Sequence, residues 1–203
     1  MPSFRMLKAR LRDILSGEDW EAGLGALDDV PPRSLVGPIV ACLPMEEPVA
    51  SRAAKALGRV AARLSDLPDG REQTADLVRR LMWHMNEESG NIGWGIPEAF
   101  AEVLAARRPI AEKYATILIS YVIDTGHEDN FCDHAVLRRS CFKAVTRLIE
   151  AWPDLPCIGG LGSLCSQALT RAMELDPDEE CRRLAKAASE VLAAARAASR
   201  LPR

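Results

Sequence analysis

Glu87 and Glu88 stand side by side, with Glu98 and Glu102 a short distance downstream. Carboxylates grouped in this way are the raw material of general acids, general bases and ligand clamps. Asn86, Ser89, Trp83 and Trp94 surround them, and glycines occupy positions 90, 93 and 95. An ordinary turn between helices has no need of so many acids, glycines and indoles together. The functional reading is a ligand or partner site built from Trp83, Asn86, Glu87, Glu88, Ser89, Trp94, Glu98 and Glu102. The plain reading uses the same residues differently. Ser89 or Asn86 caps a helix, Trp94 plugs a hairpin, and Glu98 sits in a first helical turn, where acids complement the helix dipole.

Two further clusters carry chemistry on paper. His127, Glu128, Asp129, Cys132, Asp133 and His134, followed by Cys141, are metal-type side chains. Zinc sites favour paired spacings such as CxxC or HxxxH, which this run lacks. It reads better as an acidic turn with a core cysteine, so no metal and no cofactor is expected. Arginine doublets stand at 79–80, 107–108, 138–139 and 182–183. Stacked repeats could align them into a ladder that grips phosphates. The other reading is structural: Arg52, Arg139 and Arg183 would each tie a turn to an acidic residue. No GxSxG, Walker-type loop or HExxH occurs. Gly159-Gly160-Leu161-Gly162 has no preceding strand to make it a dinucleotide fingerprint, and reads as a helix start.

Bulk properties narrow the partners. The 203 residues carry a formal charge of −3, with 48% hydrophobic and 27% charged residues. That balance suits a folded soluble chain and disfavours nucleic acid as partner. No stretch approaches the roughly 18 apolar residues of a membrane span, and the amphipathic N-terminus does not resemble a signal peptide. The expectation is a cytoplasmic protein. Six cysteines without a CxxC pair are then expected to be free thiols that pack as small hydrophobes.

The elements that position these residues follow from periodicity. The pattern Ala, apolar, small, charged, apolar recurs from Ala56, Ala99, Ala144 and Ala187, at steps of 43, 45 and 43 residues. HEAT and armadillo repeats have periods of about 40–47 residues. Apolar residues at i, i+4, i+7, i+8 and i+11 mark one helix face in 46–65, 110–123, 136–150, 160–175 and 180–198. Helices are expected near 3–15, 18–28, 31–43, 46–65, 71–86, 95–106, 109–124, 132–151, 158–175 and 178–199. Asp176-Pro177-Asp178-Glu179-Glu180 reads as a helix start with Asp176 as cap. Paired into hairpins, these helices make an all-α, right-handed α-solenoid of HEAT/armadillo-like repeats. The expected domain is single and spans 1–203, with clear repeats over 46–199 and capping helices over 1–45.

The segment from Glu47 through Arg52, Ala56 and Leu57 to Gly58 resembles the second helix of HEAT-like repeats of the phycobilisome-lyase type. The run from Trp83 through Asn86, Glu87, Glu88, Ser89, Gly90, Ile92, Gly93, Trp94 and Pro97 to Glu98 resembles a W-x-x-N-[DE]-E-S-G-x-I-G-W-x-x-P-E block of a family of bacterial HEAT-repeat proteins. The resemblance implies the fold and no particular activity. The expected function is a non-catalytic protein-interaction or scaffold module, with loop 86–95 as its recognition element and another protein as partner. The alternatives are an enzyme or cofactor-handling, lyase- or chaperone-like protein using Glu87, Glu88 and Glu98, a small ligand near Trp94, and, third, nucleic-acid binding through the arginines.

Overall fold

The computed structural model describes residues 3–86, 93–125, 130–155 and 160–199. Among them are ten α-helices and no strand: α1 (Phe4–Ser16), α2 (Trp20–Gly25), α3 (Pro32–Val40), α4 (Val49–Ser65), α5 (Gly70–Met85), α6 (Ile96–Ala106), α7 (Arg108–Ser120), α8 (Ala135–Ala151), α9 (Leu161–Leu175) and α10 (Glu179–Ser199). The all-α class read from periodicity is therefore the class observed. Prolines mark several helix starts, as their missing N–H allows: Pro32 opens α3 and Pro97 lies in the first turn of α6.

Where boundaries differ from expectation, a cap explains it. Helix α8 begins at Ala135 rather than near 132 because His134 is its cap, Nδ1 accepting the Leu137 N–H at 3.2 Å. Helix α10 begins one residue after Asp178, whose Oδ1 accepts the Cys181 N–H at 2.9 Å. Asp176, the expected cap, serves a different purpose.

The chain divides into two compact units, Met1–Arg107 and Arg108–Arg203. In the first, α1 packs on α3, α3 on α4, and α4 most extensively on α6. Leu11, Leu15, Leu35, Ile39, Leu57, Leu64 and Phe100 fill this core. The α4–α6 approach is close because Gly58 has no side chain: a Cβ there would meet the Glu102 carbonyl oxygen at 2.8 Å. Arginines of α4 clamp the preceding turns. Arg52 donates to the carbonyls of Leu15 and Gly17, both at 2.7 Å, and Arg63 to those of Leu27, Asp28 and Val30. These carbonyls lie in and just after helix ends, where acceptors otherwise lack partners.

In the second unit α8 packs on α10, α9 on α10, and α7 on both α8 and α9. Tyr121, Phe142, Val145, Leu169 and Leu192 are buried there. So is an ion pair, Arg138 with Asp176, both side chains 2% exposed. Nε and one terminal nitrogen reach the two carboxylate oxygens at 2.8 Å, and the other terminal nitrogen donates to the carbonyls of Cys132 and Asp133. The helix-on-second-helix packing of α4 with α6 and of α8 with α10 is the stacking that a 43–45-residue repeat requires. Its fourth register point is corrected by one residue. Ala56, Ala99 and Ala144 are buried as expected, but Ala187 is exposed and Ala188 takes the inward position.

Three substitutions test this packing in urea denaturation. Gly58→Val is expected to cost about 1–3 kcal/mol by overpacking the α4–α6 contact. Gly25→Ala, at a position where a Cβ meets nothing within 4 Å, is expected to be neutral or mildly stabilising. Asp176→Asn, which strands the Arg138 charge, is expected to cost about 3–5 kcal/mol.

Candidate functional site

The helices α5 and α6 bracket the acidic block. Asn86 is the exposed C-cap of α5, its N–H reaching the carbonyls of Met82 and Trp83. On the other side, Gly93 lies against the chain end of α5: a Cβ there would meet the His84 carbonyl oxygen at 2.8 Å. Gly95 caps α6 in the left-handed conformation, φ +73°, 2.7 Å from the Leu43 carbonyl oxygen by the same measure. Both requirements, close approach and positive φ, select glycine. These two glycines thus have packing reasons of their own.

The indoles do not. Trp83 is 59% exposed, its ring set edge-on to His84 at 5.0 Å, and Trp94 is 40% exposed. Since Gly93 rests on the carbonyl of His84, these two indole-bearing residues each adjoin the same α5–loop contact. Glu98 is the third residue of α6 and half-buried; its Oε2 is shielded from solvent with no hydrogen-bond partner among the described residues. Glu102, one turn on, is also half-buried and backs onto Gly58. Trp83, Asn86, Trp94, Glu98 and Glu102 thus sit at the joined ends of α5 and α6 and along the first turns of α6. Glu87, Glu88 and Ser89 lie outside the described residues.

Other candidates resolve into structural work. Of the metal-type run, His134 caps α8, while Cys132 and Cys141 are buried; His127, Glu128 and Asp129 lie outside the described residues. Among the described residues no three His, Cys, Asp or Glu side chains are grouped to hold a metal ion. Most arginines of the doublets find carboxylates within their own unit, and Arg182 donates to the Asp176 main-chain carbonyl. Arg79 pairs with Asp76, Arg107 with Asp66 at 2.8 Å, and Arg108 with Glu112 and Asp154 at 2.8 Å each. Arg139 makes two bonds to Asp178, at 2.9 and 2.6 Å. The turn-anchoring reading holds for Arg139, which binds an acid just before α10. Arg52 instead binds carbonyls, and Arg183 pairs with Glu180 in its own helix. Arg138 stands in the sequence reading only as half of a doublet that could grip phosphate, yet a signal for its buried role existed: it precedes Cys141, Phe142 and Val145 by three, four and seven residues, which places a charge on a buried helical stripe.

No family model matches the chain, and no curated protein matches it. Among solved structures, a designed armadillo repeat protein is similar at 17% identity over 95% of each chain, with a TM-score of 0.39. Those values fall below the level at which a shared fold follows. No helix among the described residues is long and apolar enough to cross a membrane.

Arg139 and the backbone N–H of Cys181 hold the Asp178 carboxyl well below its usual range. A carboxylate with a depressed native pKa adds stability above its unfolded value, about 4, and loses it as pH falls through the native one. Arg139→Gln is therefore expected to lower the urea midpoint near neutral pH. The gap from the unsubstituted protein should narrow progressively as the pH drops below about 4, which chemical denaturation across pH reads directly.

Proposed function

We propose that this chain is a non-catalytic interaction module and that its recognition element is the junction of α5 and α6, with another protein as partner. One observation carries the reading: Trp83, in the last turn of α5, and Trp94, just before α6, are large indoles left exposed. Tryptophan in solvent is costly apolar surface, and it is the residue type most enriched at the energetic centres of protein interfaces. Asn86, Glu98 and Glu102, together with Glu87, Glu88 and Ser89, would supply the polar rim that such centres usually have. The ion-paired arginines support the same reading, because guanidinium groups already bound to carboxylates have less to offer a phosphate backbone.

A second reading has its own supporting feature. The shielded Oε2 of Glu98, without a hydrogen-bond partner among the described residues, is what a small ligand or a catalytic role would use, in an enzyme or cofactor-handling protein that also draws on Glu87 and Glu88. The two readings separate by mutation. Proteins retained by the immobilised chain from its native extract are to be compared with those retained by Trp83→Ala, Trp94→Ala and Glu98→Gln. The interaction reading expects a specific binder whose retention drops at least tenfold in either tryptophan variant, while thermal midpoints stay within a few degrees and Glu98→Gln binds normally. An unchanged set of retained proteins in both tryptophan variants would refute it.

A further inference from the structure

Helix α1 carries Arg5, Lys8, Arg10 and Arg12 against the single acid Asp13. In a chain of net charge −3 this is a local reversal of sign. Leu7, Leu11 and Leu15 turn inward, while Arg5 stays exposed and Lys8 half-exposed. Phe4, at the start of the same helix, is 54% exposed.

Phe4 is seated on a bare stretch of α3. A Cβ at Gly37 would lie 3.2 Å from Cε2 of Phe4 and 3.8 Å from Nη1 of Arg80. The Phe4 ring edge and the Arg80 guanidinium thus come to the same point of α3, one from α1 and the other from α5. Asp76, one turn before Arg80, pairs with Arg79 instead. Among the described residues Arg5, Lys8 and Arg80 form no ion pair. Trp83 follows Arg80 by three residues, which makes the two neighbours on the surface of α5. The result is an exposed strip across α1, α3 and α5 on which cations and rings alternate: Lys8, Phe4, Arg80, Trp83.

We propose that this strip binds an acidic segment of a partner protein, one in which carboxylates alternate with apolar side chains. The proposal rests on the interaction reading above and adds the chemistry of the partner. Arg80 would hold a carboxylate in a two-bond fork, and Lys8 and Arg5 would attract others as charges on flexible stems. The open face of Phe4 and the indole of Trp83 would cover the apolar side chains between them. Rings already seated on helices give up little freedom on binding. A short protein segment suits the strip better than a larger polyanion. Charges in physiological salt are felt over about 8 Å, so such a segment meets only the local excess of base. A bilayer or a nucleic-acid duplex covers more surface and would also meet the acids of a net-negative chain.

The test is fluorescence polarisation of a short labelled peptide in which glutamates alternate with leucines, titrated with the full chain at low and at physiological salt. Saturable binding is expected, weaker at the higher salt, and at least tenfold weaker for a peptide with glutamine in place of each glutamate. Lys8→Glu and Arg80→Glu should each weaken binding at least fivefold with thermal midpoints within a few degrees. Lys186→Glu, the same charge change on α10, should leave it unaltered. No binding of the glutamate peptide, equal binding of the glutamine peptide, or equal effects of all three variants would each overturn the proposal. So would capture of the chain by phosphatidylserine vesicles or duplex DNA through Lys8 and Arg80 with the peptide left unbound. The two readings fail separately. A partner from the extract that depends on Trp83 and Trp94, with no binding of the peptide, sinks the acidic segment alone. Peptide binding that depends on Lys8 and Arg80, with the retained proteins unchanged in both tryptophan variants, supports the strip and sinks the α5–α6 junction.

Discussion

A buried ion pair is an expensive thing to build, and the second unit is organised around one. Moving Arg138 and Asp176 out of water costs each several kcal/mol, which is recovered only if the geometry is good and the remaining donors and acceptors find partners. Both conditions are met. The fork of the guanidinium matches the carboxylate at 2.8 Å on each arm. Its remaining terminal nitrogen holds two carbonyls of the segment before α8, and its face lies 4.8 Å from the Phe131 ring. Asp176 is equally committed, accepting the Asp178 N–H at 2.9 Å and, at its main-chain oxygen, a bond from Arg182 at 2.6 Å. The approach to α8 and the approach to α10 are thereby fixed to one another. The packing of α8 on α10 follows from that connection.

The first unit solves the same problem with cheaper parts. Arg52 and Arg63 bind main-chain carbonyls near the ends of earlier helices, and Arg59 makes two bonds to Asp28 at 2.9 and 2.7 Å, in a more exposed setting. Exposed pairs of that kind contribute little stability each; the carbonyl clamps do the orienting. In both units arginine acts as a tie between successive hairpins. The exposed indoles of Trp83 and Trp94 are the chemically distinctive features of the α5–α6 junction.

Helices were legible because burial repeats with their own period. The stripes through Ala53, Leu57 and Leu64, and through Cys141, Val145 and Leu148, are written in the order of the residues. What is not periodic was harder to read. The register slipped from Ala188 to Ala187 because α10 is rich in alanine, and a small residue next to another small residue does not say which of them faces inward. Asp176 looked like a cap, since a cap is a local role visible in a short motif. Its real partner is 38 residues away. The glycines of the acidic block read as signs of a site, yet Gly93 and Gly95 answer to backbone atoms of His84 and Leu43. The exposure of Trp94 had no sequence signature at all, because indoles serve equally well as plugs and as contacts.

The glycine at 58 has a mechanical consequence. Where two helices meet through interlocked side chains, rotamer changes can absorb a small displacement. Between α4 and α6 that cushion is missing at the Gly58–Glu102 crossing, where the flank of one helix rests on the backbone of the other. Close-packed interiors transmit strain, and bare backbone contact transmits it most directly. A force applied at Trp94, just before α6, is therefore delivered along α6 to α4 with little slack. From there the Arg52 and Arg63 clamps pass it to the turns after α1 and α2. The α5–α6 junction is the short arm of a lever whose fulcrum is an absent side chain.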